Sequence, residues 1–469
     1  MASLRLSAAS VVCLLALEVP LQAQWQVQGF GSESYNSQGI YLGLGIDGQK
    51  NRLYACSGWG GDGRGYEWTY SDGDWTKEEV YSGLGVCYSP WVGAIKGPGD
   101  RRLYVGSYTN ETAYEVFRDG EVWQKAPVPG SAIDKVVSVR VAPGHNDGTS
   151  RLYIAHASAG AEGGLYEFTW NAESRTWDKL RLHTRGVGEF AIADARNDGV
   201  LRIYAGSREG GDGGVIELTW DGSQYVSNLL SFPDILEGRI QTTYVGDGRG
   251  DGLKRLYANE WGGRLFELTY QDGGWSWLQV AGGASRFYMT SGRLRPDNQS
   301  RLYASLQGSG VYEYCWDGAK YVTSVDAVTS ATGKPTIGSG RNDNKNRLYV
   351  GHGDRSTFPG SVAEVSDPDP PDSEMIDGAY RRGDAKADGS VDISDPISIL
   401  LHLFLESPLL LRCEKSADAD DNGVVELTDA IILLDFLFRE GPPPSPPFED
   451  CGVDPMVDSL LCEEFPPCR

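Results

Sequence analysis

The 469-residue chain is poor in histidine and methionine, with five and four copies, and its 42 Lys and Arg stand against 65 Asp and Glu for a net charge of -23. Neutralising nucleic-acid phosphates takes clustered Lys and Arg, so that class of partner is excluded. The histidines, at 145, 156, 183, 352 and 402, fall at no metal-ligand spacing, and no G-x-S-x-G elbow, phosphate loop or dinucleotide motif occurs. Past the first two dozen residues no apolar run approaches the roughly 20 residues of a membrane span. No long helical period is present before residue 390.

Residues 1–23 read as a secretory signal peptide, with Arg5 near the start, an apolar stretch from Val11 to Leu17, and Leu21, Gln22 and Ala23 as the cleavage site. The expected location is therefore extracellular or at a cell surface. Seven cysteines follow: Cys56, Cys87 and Cys315 in the long region, and Cys413, Cys451, Cys462 and Cys468 near the end, where disulfides can staple a small module. Their connectivity is not readable, and the odd count leaves at least one thiol free or paired between chains.

What the sequence has in abundance is repetition. Arg-Leu-Tyr or a near variant starts at Arg52, Arg102, Arg151, Arg202, Arg255, Arg301 and Arg347, a period of about 50 residues in the range of a propeller blade. In each copy a polar turn leads into this strand, a Gly-rich loop into a second strand of the Tyr-Glu-Leu-Thr-Trp type, and an Asp-Gly hairpin turn commonly into a third bearing an aromatic, as at Trp75, Trp123, Tyr225, Trp275 and Tyr321. The seventh copy ends without that outer strand, whereas Trp25-Gln26-Val27 resembles it. The N-terminus is therefore expected to complete the last blade and remove the open sheet edge. The fold class predicted is mainly β, a seven-bladed propeller over 24–366.

Seven glutamates match the seven arginines: Glu67, Glu115, Glu167, Glu217, Glu267, Glu313 and Glu364. Such a set beside aromatics suits either a cross-strand structural ladder or a sugar site, in which charged groups bond hydroxyls and a ring covers the apolar sugar face. The ladder is the weightier alternative, because the set recurs in every copy. The turn-strand pattern resembles FG-GAP or VCBS propeller repeats, with their acidic loop residues mostly replaced. Blades five and six, with Arg255, Glu267, Arg301, Glu313 and Trp316, are similar to fungal fucose-binding propeller lectins, which implies glycan binding at those residues. Trp59, Trp91 and Trp261 lie outside the common aromatic positions and are further stacking candidates.

The C-terminal region carries 19 Asp and Glu against 7 Lys and Arg over 379–469. Within it Asp384, Lys386, Asp388, Ser390, Asp392 and Asp395 occupy positions 1, 3, 5, 7, 9 and 12 of a loop with Gly389 at position 6. Asp418, Asp420, Asn422, Val424, Glu426 and Asp429 repeat the frame around Gly423. Alternating oxygen donors around a glycine turn form a calcium cage, so two calcium ions are expected, with Lys386 weakening the first site. Each loop runs into an apolar helix, near 397–405 and 430–438.

The paired loop-helix units over 379–441 resemble a type I dockerin. That resemblance implies calcium-coupled folding and docking to a cohesin-like module, with partner choice at Ile393, Ser394, Leu427 and Thr428. An Asp/Pro-rich linker over 367–378 joins it to the ring, and a Pro- and Cys-containing tail follows over 442–469. The expected function is an exported calcium-binding protein whose dockerin-like module attaches a ligand-binding propeller, with a glycan as the candidate ligand, to a cohesin-type partner or surface. The alternatives are a polysaccharide-degrading enzyme, either glycoside hydrolase or lyase, and a protein-interaction scaffold.

Overall fold

The computed structural model describes residues 25–30, 37–58, 62–97, 99–157, 163–208, 214–230, 239–282, 287–297, 299–306, 310–329, 331–343, 345–352, 362–367, 380–404, 411, 413–439 and 441–448, with 451, 452, 454, 460, 462 and 465 beyond them. The leader, Trp59, most of the linker and Cys468 lie outside them, as does the side chain of His352.

The described strands form seven four-stranded antiparallel sheets, each a blade. In the first, β2 (Ser37–Leu44), β3 (Asn51–Ser57), β4 (Gly65–Ser71) and β5 (Asp74–Tyr81) run in order from axis to rim. The inner strands of the next five blades are β6 (Cys87–Ala94), β10 (Val136–Ala142), β14 (Val187–Ala193), β18 (Ile240–Gly246) and β22 (Phe287–Arg293). Blade seven takes β26 (Ala331–Gly338), β27 (Arg347–His352) and β28 (Val362–Ser366), and its fourth strand is β1 (Gln26–Phe30), with Gln28 opposite Glu364. The N-terminal strand thus closes the ring, as the sequence pattern anticipates.

Every Arg-Leu-Tyr strand is second from the axis, and its Leu or Ile and its Tyr are buried. The inner strands abut all the way round, and the contact is tight where each pairs with the repeat arginine. That place is held by Gly43, Gly93, Ala142, Ala193, Gly246, Gly292 and Gly338. A Cβ on Gly93 would stand 2.5 Å from Val141 Cγ1, and one on Gly338 2.9 Å from Leu42 Cδ2. The next blade's side chain fills the space that the missing one leaves.

The described helices all lie after residue 393: α1 (Ser394–Phe404), α2 (Glu414–Ala417) and α3 (Leu427–Arg439). None is long and apolar enough to cross a membrane. α1 and α3 begin three residues earlier than their apolar runs suggest, because the loop ends cap them. Asp392 Oδ1 accepts the Ser394 N–H at 2.8 Å while Asp395 Oδ2 accepts the Asp392 N–H at 2.8 Å, a capping box. Asp429 does the same for Glu426 N–H at 2.7 Å. Ile399, Ala430 and Leu433 pack between the two helices with Ala385, Ala417 and Ala419.

Residues beyond 441 are built into this unit rather than trailing from it. Ser445 N–H bonds Ala419 O, Tyr380 pairs with Gly452, and Cys413 is disulfide-bonded to Cys462. A boundary at 441 therefore falls inside packed structure. Cys56 and Cys87 are free thiols, both buried.

The narrow inner contact yields a test: Gly93→Leu should lower stability by about 1–3 kcal/mol through overpacking against Val141. An unchanged urea midpoint would contradict the tight inter-blade contact.

Candidate functional sites

The repeated arginine and glutamate of each blade are drawn together by register. The Tyr of Arg-Leu-Tyr lies directly opposite the glutamate in all seven blades, from Tyr54 and Glu67 to Tyr349 and Glu364. In blades three to seven the repeat arginine grips an aspartate four residues earlier: Arg151 with Asp147, Arg202 with Asp198, Arg255 with Asp251, Arg301 with Asp297 and Arg347 with Asp343. It reaches the glutamate less closely, as at 3.8 Å for Arg255 and Glu267 and 3.2 Å for Arg301 and Glu313.

The closer cation for most of these glutamates is a residue that the repeat motif does not include, six positions before the arginine. Lys96 pairs with Glu115 at 2.8 Å, Arg196 with Glu217 at 2.5 Å, Arg249 with Glu267 and Arg341 with Glu364, while Arg295 reaches Glu313 at 3.2 Å, the same distance as Arg301. Each also lies over an aromatic of the following blade. Lys96 is 4.2 Å from the centre of Trp170, Arg196 4.5 Å from Tyr270, Arg249 3.7 Å from Trp316 and Arg341 4.7 Å from Tyr70; Arg295 lies 3.7 Å from Trp25, on the N-terminal segment. A cation held by a buried carboxylate and capped by a ring is a clamp between blades.

Two junctions vary the theme. Blade three has His145 there, stacked on Trp220 at 3.6 Å, with Nε2 3.0 Å from Glu167 but out of hydrogen-bond alignment. Burial outweighs the carboxylate and holds the imidazole below its ordinary pKa. Blade one has Ile46, and the facing position of blade two is Arg118 instead of an aromatic; Arg118 bonds Glu78 and lies over Trp123. Glu67, left without the usual cation, has its carboxyl pushed upward, chiefly by burial.

Arg255, Glu267, Arg301 and Glu313 are accordingly buried inside their blades and occupied with protein partners, and Trp316 is covered by Arg249. Of the other tryptophans, Trp91 is half-buried beside Tyr41 and Arg140, and Trp261 is exposed.

The two acidic loops share one geometry. Asp384 at position 1 accepts the N–H groups of Asp388 at 3.0 Å and Gly389 at 2.8 Å; Asp418 accepts those of Asn422 at 3.1 Å and Gly423 at 3.0 Å. The position-12 residues bond back to position 3 or 2, Asp395 to Lys386 N–H at 3.1 Å and Asp429 to Ala419 N–H at 2.7 Å. Gly389 and Gly423 have φ of 91° and 85°, a conformation costly for other residues, which turns each loop back on itself. Asp384, Asp395, Asp418 and Asp429 are buried, whereas Asp388, Ser390, Asp392, Asn422, Val424 and Glu426 lie toward solvent. Burial raises the pKa of all four position-1 and position-12 carboxyls, Asp395 and Asp429 to about 6.

The loops differ at position 3. Carboxylate oxygens of Asp418, Asp420 and Asp429 come within 4.8 Å of one another, a set that fits a hard cation. In the first loop Lys386 takes the place of Asp420, and its Nζ lies 3.0 Å from Asp388. A feature absent from the motif is Arg382, fully buried, which reaches Asp418 at 3.5 Å, Asp421 at 2.7 Å and Asp454 at 3.0 Å. It ties the second loop to the C-terminal segment.

Position 10 of each loop opens an exposed apolar stripe. Ile393, Ile397, Leu401 and Phe404 lie along α1, and Leu427, Ile431 and Phe438 along α3, with Phe404 69% and Phe438 65% exposed. Ile393, Ile397 and Phe404 correspond to Leu427, Ile431 and Phe438 at one constant offset of 34 residues (427 − 393). Ser394 is half-buried and Thr428 exposed beside them.

No family model and no curated protein matches the chain. Among solved structures it is similar to BBS1N in complex with ARL6DN, at 15% identity over 73% of this chain and 97% of the other, with a TM-score of 0.48. It is also similar to a protein described as a gluconolactonase, at 11% identity over 74% and 93%, with a TM-score of 0.38.

The clamp generates a pH-dependent prediction. A histidine whose pKa is depressed by folding contributes stability above its unfolded value near 6.5, and that contribution is lost as pH falls toward the folded value. His145→Arg restores the commoner cation over Trp220 and should stabilise by about 0.5–1 kcal/mol. Its advantage over the unsubstituted chain should widen between pH 7.5 and 5.5. Parallel melting curves that show no widening would contradict the assignment.

Proposed function

We propose that this is an exported attachment protein, in which a calcium-loaded, dockerin-like C-terminal module docks to a cohesin-type partner and presents the seven-bladed ring. The observation that carries the reading is the pair of matching apolar stripes on α1 and α3, each running from loop position 10. Exposed apolar side chains in two equivalent rows on so small a unit mark a protein-binding surface. The loops supply the means of holding it in shape: a cation neutralises four buried carboxyls and fixes the start of each helix. Asp384, Asp388, Ser390, Asp392 and Asp395 are assigned to the first ion, with the weaker ligand set, and Asp418, Asp420, Asn422, Val424, Glu426 and Asp429 to the second. Ile393, Ser394, Leu427 and Thr428 are assigned to partner choice.

In this reading the ring is the delivered part and its repeated arginine and glutamate network is its scaffold. Ligand recognition then falls to residues that do not recur from blade to blade. The leader sequence supports placement outside the cell.

Retention of the full chain on immobilised cohesin modules is the test. Retention is expected in calcium and release in chelator, and Ile397→Asp with Ile431→Asp together should abolish retention while calcium uptake persists. Retention unaffected by chelator, or by the double substitution, would contradict the docking surface.

A further inference from the structure

We propose that the axial channel of the ring holds one small oxyanion, a carboxylate above all, between Arg140 of blade three and Lys334 of blade seven. The inference rests on the reading that the ring is the ligand-bearing part, and it gives that ligand a chemical class. It does not depend on docking by the C-terminal module.

The inner strands align on the small residue that pairs with each repeat arginine. At the positions two and four residues before it, where side chains meet around the axis, the seven blades carry only three charged residues: Arg140, Glu189 and Lys334. These charges do not recur, so the blade architecture does not demand them. They nevertheless converge from three blades. Glu189 Oε2 accepts from Lys334 Nζ at 2.9 Å, across the ring, and from Arg140 Nη2 at a longer 3.3 Å.

The cluster has two cations and one carboxylate. Among the described residues the Cys56 thiol also acts on this cluster, and burial keeps it neutral. A group of net charge +1, with Arg140 and Glu189 buried and Lys334 17% exposed, is costly unless something neutralises it. Either Lys334 gives up its proton or an anion joins it. Lys334 is paired with Glu189 at 2.9 Å, a contact that favours its charged form against the lowering by burial and so favours the anion.

The surroundings are built for one. Arg140 lies over Trp91, 4.7 Å from the ring centre, and is pinned by Ser89 Oγ at 2.6 Å and Val139 O at 2.8 Å. A guanidinium fixed in this way offers its remaining N–H groups in the planar fork that suits a carboxylate. Ser138 Oγ, fully buried beside Arg140 on the same strand, has no hydrogen-bond partner and is a spare donor.

Calorimetric titration of the full chain with acetate, glucuronate and glucose at constant ionic strength tests this. One anion per chain is expected, with no binding of glucose. Lys334→Gln should weaken binding at least tenfold, Lys334→Arg should retain it, and Glu189→Gln, which removes the competing carboxylate, should tighten it. Cooperative melting of each variant verifies folding. Glucuronate tighter than acetate would identify an acidic sugar as the source of the carboxylate, and equal affinities a free small acid. Absence of saturable binding in both the unsubstituted chain and Glu189→Gln, or undiminished binding in Lys334→Gln, would overturn the proposal. Failure of docking to cohesin would leave this result unchanged, so the two readings fail separately.

Discussion

A glutamate opposite a buried tyrosine recurs in all seven blades, buried in six of them and half-buried at Glu67, and the ring follows from that constraint. Leaving such a carboxylate unpaired inside a blade costs about 3–5 kcal/mol, so each needs a cation close by. The repeat arginine supplies part of the field but spends its fork on an aspartate in the preceding turn. The nearer charge comes from six residues before it, and that side chain then lies on the next blade's aromatic. One residue thus satisfies a core carboxylate and joins two blades. Where blade one lacks it at Ile46, the facing blade carries Arg118 in place of the ring, and two cations never meet at one junction.

Much of this architecture is legible in the sequence. The period of the Arg-Leu-Tyr strand, the hairpin turns and the missing outer strand of the seventh copy lead to seven blades closed by the N-terminal segment. The matching of arginines with glutamates is equally visible, but its purpose is not. The clamp residue reads Lys, His or Arg in six copies and Ile in the first, and only the structure reveals that those six occupy one place between a glutamate and a neighbouring ring. The channel charges are hidden for the opposite reason. Arg140, Glu189 and Lys334 lie up to 194 residues apart (334 − 140) in strands with no shared motif, and the closed ring alone brings them together.

In the C-terminal unit the loop frame itself is readable, because a glycine at position 6 and acids at alternate positions have few other uses. The helix starts are less so. Asp392 and Asp395, taken as cation ligands from their spacing, also form a capping box, so loop and helix share side chains and the helix begins inside the loop. The packing of the segment beyond 441 has no sequence signal comparable to the loops, since it depends on Arg382 finding Asp421 and Asp454, and on the bond between Cys413 and Cys462. These ties join the segment beyond 441 to the rest of the unit through protein groups alone.

Native mass spectrometry of the full chain, desalted from calcium and from chelator, tests the account at its centre. One ion should persist at the loop of Asp418, Asp420 and Asp429 and a second, more easily stripped, at the loop containing Lys386. Asp429→Ala should remove the persistent ion, whereas a mass identical to the metal-free chain at millimolar calcium would contradict the calcium-loaded attachment module.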